Sequence, residues 1–172
     1  MAKTRGFPAF LAGVQRMLRG ERRAESSVPA STSRTPAAST ATVEVDPRRV
    51  GAVHLSYSPT TDGAPDPGEI VWTWVPYEEN DGRGKDRPVV IVATEPGGTV
   101  LAAQLTSKDH AGERSFVSLG AGGWDSEGRA SWVNIDRIFR VHPAGMRREA
   151  AALDQRRYEL VEAALRSRYG WS

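Results

Sequence analysis

Between residues 69 and 141 the apolar positions come in short bursts: EIVWTWV at 69–75, PVVIVAT at 88–94, TVLAAQLT at 99–106, SFVSL at 115–119 and SWVNIDRIFRV at 131–141. Each burst is rich in Val, Ile, Trp or Phe and is bounded by Gly, Pro, Asp or Asn, the pattern of β-strands. The EPGG turn between the second and third bursts suits a tight hairpin. Several short strands with little helix between them predict a small barrel or sandwich, because closure protects strand edges.

The period changes near the C-terminus. In LDQRRYELVEAALRSRYG, Tyr158, Val161, Leu165 and Tyr169 form one helical stripe, broadened by Leu160 and Ala164. Asp154 stands at the N-cap position, Leu153 and Tyr158 are placed for a hydrophobic staple, and Gly170 can end the helix. That stripe predicts a helix packed on the barrel.

Residues 1–66 read differently and are expected to be an N-terminal arm, with a barrel domain over 67–172. Residues 7–19 place Phe10, Leu11, Val14, Met17 and Leu18 at helical spacing, a short amphipathic segment. Residues 24–49, rich in Ala, Ser, Thr, Pro and Arg without a period, predict a disordered linker. A short strand is expected at Val53–Tyr57, followed by turn formers.

Composition narrows the chemistry. Hydrophobic residues make up 39% of the 172 residues, in line with an unpacked arm. The absence of cysteine excludes disulfides, a thiol nucleophile and cysteine-based zinc sites. No apolar run approaches the roughly 18–20 residues needed to span a bilayer. The net charge of +2 is uneven. Residues 1–50 carry nine Lys/Arg against four Asp/Glu, and residues 51–172 carry fourteen against seventeen. If the folded part binds RNA, a few well-placed cations must do so, with the basic arm assisting capture.

No GxSxG, Walker or GxGxxG motif is present, and His54, His110 and His142 lack metal-ligand spacing. Four local features remain. The charged loop at 76–88, with Glu78, Glu79 and Asp81, ends in Arg87-Pro88 at the mouth of an apolar strand. Its guanidinium either faces the loop as a fork for phosphate or pairs with Asp86, Glu78 or Glu79. The third strand ends in Thr106, Ser107, Lys108, Asp109 and His110, which could contact an oxyanion or simply form a turn. Asp136 interrupts an apolar strand and needs a cationic or backbone partner. Among Trp72, Trp74, Trp124 and Trp132, an exposed indole could stack on a base.

These features follow the order of a family pattern. Gly68-Glu69-Ile70-Val71-Trp72 resembles the opening strand of MazF/PemK toxins. Arg87-Pro88-Val89-Val90-Ile91-Val92 is similar to their R-P-V-L-V-L element, Leu105-Thr106-Ser107 to their hydrophobic-T-S/T signature, and Ile135-Asp136-Arg137-Ile138 to their D-Q-I/V-R/K segment. The resemblance spans residues 67–171 and implies a mainly β, SH3-like small barrel of the MazF/PemK/CcdB type with a C-terminal helix. It further implies a cytoplasmic homodimer that binds single-stranded RNA near the dimer interface and is silenced there by a separate antitoxin chain. Such toxins cleave RNA without a metal or cofactor. The 2′-hydroxyl attacks the adjacent phosphorus, leaving a 2′,3′-cyclic phosphate and a 5′-hydroxyl. Arg87 would clamp the phosphate, while Thr106 and Ser107 would bond its oxygens or the 2′-OH. The loop before the R-P element lacks the histidine of some members, and Asn134 stands where some have arginine. Glu78, Glu79, Asp81 and His110 are therefore the acid/base candidates, and Lys108, Asn134 and Asp136 are further RNA-contact candidates. Two other readings are an SH3-like binding module without catalysis and a toxin of this fold acting on a protein such as a DNA topoisomerase.

Overall fold

The structure, a computed structural model, describes residues 40–60 and 63–172. The amphipathic segment at 7–19 and most of the expected linker lie outside the described residues. Seven strands and one helix follow in order: β1 (Val43–Val45), β2 (Glu69–Pro76), β3 (Gly84–Thr94), β4 (Val100–Thr106), β5 (Phe116–Gly120), β6 (Ser131–Val141), β7 (Met146–Ala152) and α1 (Gln155–Tyr169). A single 3-10 turn, Pro143–Gly145, joins β6 to β7.

The strands pair antiparallel, in the order β1-β6-β4-β3-β2-β7, with β5 also on β6. β4 occupies one edge of β6, so β1 and β5 share the other edge end to end. Three strands separate β1 from β2, yet the Thr42 and Thr73 hydroxyls are hydrogen-bonded at 2.6 Å and Thr73 donates to the Gly145 carbonyl at 2.9 Å. The sheet therefore curls until its ends meet. Gly145 has no side chain because a Cβ there would strike the Thr40 carbonyl.

Each face of the curled sheet covers its own core. Val71, Val75, Val89, Ile91, Val100, Ala102, Phe139 and Val141 are all buried, with no helix residue in their cluster, so the sheet itself encloses them. Alternate residues such as Val90, Ala103, Val133 and Ile138 face the other way, against Leu153, Tyr158, Val161 and Leu165 of the helical region. This period-two division is the alternation of a strand buried on both faces.

The helix begins and ends as its sequence predicts. The Asp154 carboxylate accepts from Arg157 N–H at 2.9 Å, and Gly170 closes the helix in the left-handed region at φ 71°. Tyr158, Val161 and Leu165 are buried, whereas Leu160 is 51% exposed and lies off the packed face. Arg157 ties the helix to the end of β5 and the loop after it by donating to the Leu119 and Ala121 carbonyls at 2.9 and 3.0 Å.

Two expectations change. Part of the expected arm joins the sheet: β1 pairs Val43, Glu44 and Val45 with Arg140, Phe139 and Ile138. Val53 and Leu55 join the core, and their backbones bond Ser172 on both sides at 3.0 and 2.6 Å. Val53–Tyr57 is thus extended, with alternate residues buried, but its backbone pairs with Ser172 alone and forms no ladder. The second change is β7, an edge strand of sequence MRREAAA that pairs with β2.

Candidate active site

β3 and β4 place the three residues first in line for chemistry. Their ladder ends at Val89↔Gln104, and continuing that register sets Thr106 across from Arg87. Arg87, Thr106 and Ser107 line one cavity of about 340 Å³, with Trp72 and Lys85 on the β2–β3 side and Asp125, Arg129 and Ser131 on the β5–β6 side. Arg87 also lines a second cavity of about 420 Å³ with Tyr77, Glu78, Glu79, Arg83, Gln104 and Arg137. It is the residue common to both.

The guanidinium of Arg87 is half-buried, and among the described residues it has no ion-pair or hydrogen-bond partner. The salt-bridge alternative fails: Asp86 pairs with Arg147 at 2.8 Å, and neither Glu78 nor Glu79 forms an ion pair with Arg87. Burial pushes the Arg87 pKa below its ordinary value, Tyr77 and Glu78 oppose that shift, and the nearby Arg137 adds to it. An arginine stays charged under such a shift, so the site holds a partly desolvated cation with unused donors. Such a fork suits an oxyanion.

Thr106 is prepared as a donor. Its Oγ1 accepts the Lys108 backbone N–H at 3.2 Å, which leaves the hydroxyl proton free for an oxygen in the cavity. Ser107 is exposed beside it. Across the cavity, the buried Trp124 indole donates to Ser131 Oγ at 3.1 Å, and Gly122 packs so closely on the ring that a Cβ would clash. The Arg157 guanidinium stacks over Trp124 at 5.5 Å, so this wall is anchored to α1. Arg129, donating to Asp125 at 2.9 Å, projects from the same wall.

The structure separates the remaining candidates. Glu78 and Glu79 line the second cavity with Arg87 and are exposed. Asp81 is held by Arg83 at 2.7 Å, and that hydrogen bond lowers its pKa, so it stays a carboxylate near neutral pH. His110 bonds Glu113 at 3.0 Å and stacks on Phe116 with ring centroids 3.6 Å apart, so it lines neither cavity. Lys108 is exposed and lines neither.

Asn134 and Asp136 belong to a distortion of β6. The β4–β6 register jumps between Ala103↔Ile138 and Gln104↔Asn134, so residues 135–137 form a three-residue bulge. The Asn134 side chain accepts the Asp136 N–H at 3.0 Å. The Asp136 carboxylate takes a 2.5 Å bond from Ser115 and a 2.6 Å ion pair from Arg168, and so points toward α1. Asp136 meets the partner its sequence position demanded, away from Arg87. Asp136→Asn should therefore lower the melting temperature by a few degrees and leave anion binding at the Arg87 cavity unchanged. A loss of anion binding in folded protein would return it to the site.

Gln104, Arg129 and Arg137 are site-lining residues that strand pattern does not reveal. Among the described residues no group of three or more His, Asp or Glu side chains could hold a metal, and no helix is long and apolar enough to cross a membrane.

The chain belongs to the PemK-like, MazF-like toxins of type II toxin–antitoxin systems, whose family model matches residues 66–168. Two solved structures are similar, both of MazE–MazF from Deinococcus radiodurans. One, crystal form III, is 18% identical, covers 63% of this chain and 99% of its own, and superposes with a TM-score of 0.48. The other, form II, is also 18% identical, covers 68% and 100%, and gives 0.47. No curated protein matches the chain.

Proposed function

We propose that this toxin is a metal-independent endoribonuclease that cleaves single-stranded RNA at short sequence motifs. The observation that carries the reading is the unpaired, half-buried Arg87 guanidinium facing the same cavity as the Thr106 and Ser107 hydroxyls. Arg87 binds the non-bridging oxygens of the scissile phosphate and gains strength as they take up charge in the phosphorane. Thr106 donates its free proton to one of those oxygens, and Ser107 orients the ribose 2′-OH. A carboxylate of Glu78 or Glu79, on the second cavity of Arg87, accepts the 2′-OH proton as oxygen attacks phosphorus. The P–O5′ bond then breaks, and the leaving oxygen takes a proton from Lys85 or water. Arg87 cannot be the base, because its pKa remains far above neutral. The products are a 2′,3′-cyclic phosphate and a 5′-hydroxyl.

The partner implied by a type II system is a separate antitoxin chain covering the groove. We place the active form as a homodimer in the cytoplasm, where RNA is available. One observation favours a binding module instead: the only histidine near these strand ends, His110, is engaged elsewhere.

Antitoxin-free, folded protein incubated with a long single-stranded RNA in EDTA separates the readings. Fragments carrying cyclic phosphate ends support the ribonuclease. Intact RNA that is nevertheless bound would replace it with the module, and growth arrest with intact, unbound RNA would point to a protein target.

A further inference from the structure

Arg137 is a cation that the proposed chemistry leaves unused. It stands at the end of the β6 bulge and lines the same cavity as Arg87. Its Nε and one terminal nitrogen grip the two carboxylate oxygens of Glu44 at 2.9 and 2.6 Å. The same nitrogen donates to the Pro76 carbonyl at 2.9 Å, and the other reaches Gln104 Oε1 at 3.3 Å. The plane also lies over the Phe139 ring, 5.0 Å from its centroid. Its side chain is only 11% exposed, while that of Glu44 is 33% exposed.

Glu44 has an unusual origin. It sits in β1, before the region that the family model covers. β1 is three residues long and adds to an edge of β6, and Val43 beside Glu44 is 53% exposed. A short, accessory strand thus delivers a carboxylate to an arginine in the anion cavity. A fork–fork pair of this kind is also how arginine takes two oxygens of a phosphate. Charge follows the same logic. Arg83, Arg87 and Arg137 face Glu44, Glu78 and Glu79, and Arg83 is also held by Asp81, so the cations are fully matched by carboxylates and a polyanion gains little from the cavity's field.

We propose that Arg137 is a second phosphodiester-binding cation of the groove and that Glu44 holds it in reserve, making β1 a built-in brake on RNA binding. The inference rests on the reading that this groove takes RNA. An incoming phosphate replaces the Glu44 carboxylate on Arg137 with equivalent hydrogen bonds, and the released carboxylate returns to solvent. Arg87 holds the scissile phosphate and Arg137 a neighbouring one along the strand.

The test is binding of a fluorescein-labelled, fully 2′-O-methyl single-stranded RNA, which cannot be cleaved through its 2′ oxygen, followed by anisotropy over a series of KCl concentrations. Glu44→Gln in the full chain should tighten binding about three- to tenfold at low salt and steepen the log–log salt slope by about 0.7, the value for one added phosphate contact. Arg137→Gln in that background should erase both gains. If Glu44→Gln unfolds, Glu44→Asp, which keeps the charge but draws the carboxylate back, should give a smaller gain of the same sign. Arg87-dependent binding that Glu44 variants leave unchanged, or a gain surviving Arg137→Gln, overturns this inference alone. Absence of binding by every variant overturns both it and the ribonuclease reading.

Discussion

Replacing Arg87 with alanine is expected to lower the rate of RNA cleavage by about 10²–10³-fold, the cost of losing one charge-stabilising donor group, and to leave the fold no less stable. The second half of this outcome is unusual for a half-buried arginine, since most such residues are held by a carboxylate whose loss is felt. Here no partner is stranded, because Asp86 belongs to Arg147 and Arg137 belongs to Glu44. Removing a partly desolvated cation that repels Arg137 can even raise the melting temperature. Arg87→Lys keeps the charge but loses the planar fork, so its cleavage should lie between wild type and alanine. Single-turnover cleavage together with a thermal melt gives both numbers. Full cleavage by the alanine variant would remove Arg87 from the chemistry, and a large drop in stability would make it a structural residue.

The largest stability effect is expected at Tyr158, where substitution by alanine should cost about 3–5 kcal/mol, a large share of an ordinary domain's stability. Its ring is 1% exposed between α1 and the sheet and meets Tyr57 with centroids 5.3 Å apart. Its hydroxyl donates at 2.8 Å to the carbonyl of Val92, the extra residue of a β3 bulge between Ile91↔Ala102 and Ala93↔Leu101. The bulge withdraws that residue from the ladder, and the phenol supplies its carbonyl with a donor. Tyr158→Phe keeps the volume and should still cost about 1–3 kcal/mol for the carbonyl left buried without a donor.

Burial raises the Tyr158 pKa well above the ordinary 10.0, so the folded state keeps the proton after the unfolded chain begins to lose it. The associated stability is complete below pH 10 and declines as pH rises toward the folded value, by up to about 1.4 kcal/mol per pH unit. The gap between wild type and Tyr158→Phe should therefore narrow above pH 10. Urea denaturation at pH 7 and pH 10.5 reads both effects. Equal stability of the two proteins at pH 7 would show that the Val92 bond contributes nothing net.

The residues that announce themselves in the sequence are those whose local chemistry agrees with their final place. β2, β3 and β6 are dense in β-branched and aromatic residues, β4 is apolar and buried along almost its whole length, and α1 carries its own caps. The meeting of Arg87 with Thr106 was also legible, because adjacent antiparallel strands bring the start of one beside the end of the next. β7 was not: MRREAAA has no β-branched residue, and it is a strand because β2 offers it a free edge. β1 is too short to show a period and is defined by residues nearly a hundred positions away. Arg137 was hidden for another reason. A bulge of three residues reverses the alternation of β6 partway along, so no pattern of twos predicts that Arg137 turns toward Gln104 while Asp136 turns toward α1.

The joining of the sheet's ends has a kinetic consequence. Arg137 reaches Glu44 across 93 residues and Pro76 across 61, and the Thr73–Gly145 bond spans 72. Loops of that size must close before their contacts repay the lost entropy, which places folding on the slow, roughly millisecond-to-second scale of non-local β proteins. Arg87 and Thr106 can meet early, within one hairpin. The walls carrying Ser131 and Arg137 arrive only with β6, and the curl is fastened only when the turn before β7 reaches Thr73. A newly made chain therefore passes through an interval in which Arg87 and Thr106 already lie side by side while the walls around them are still missing, a delay in which a partner chain can reach it before its groove is complete.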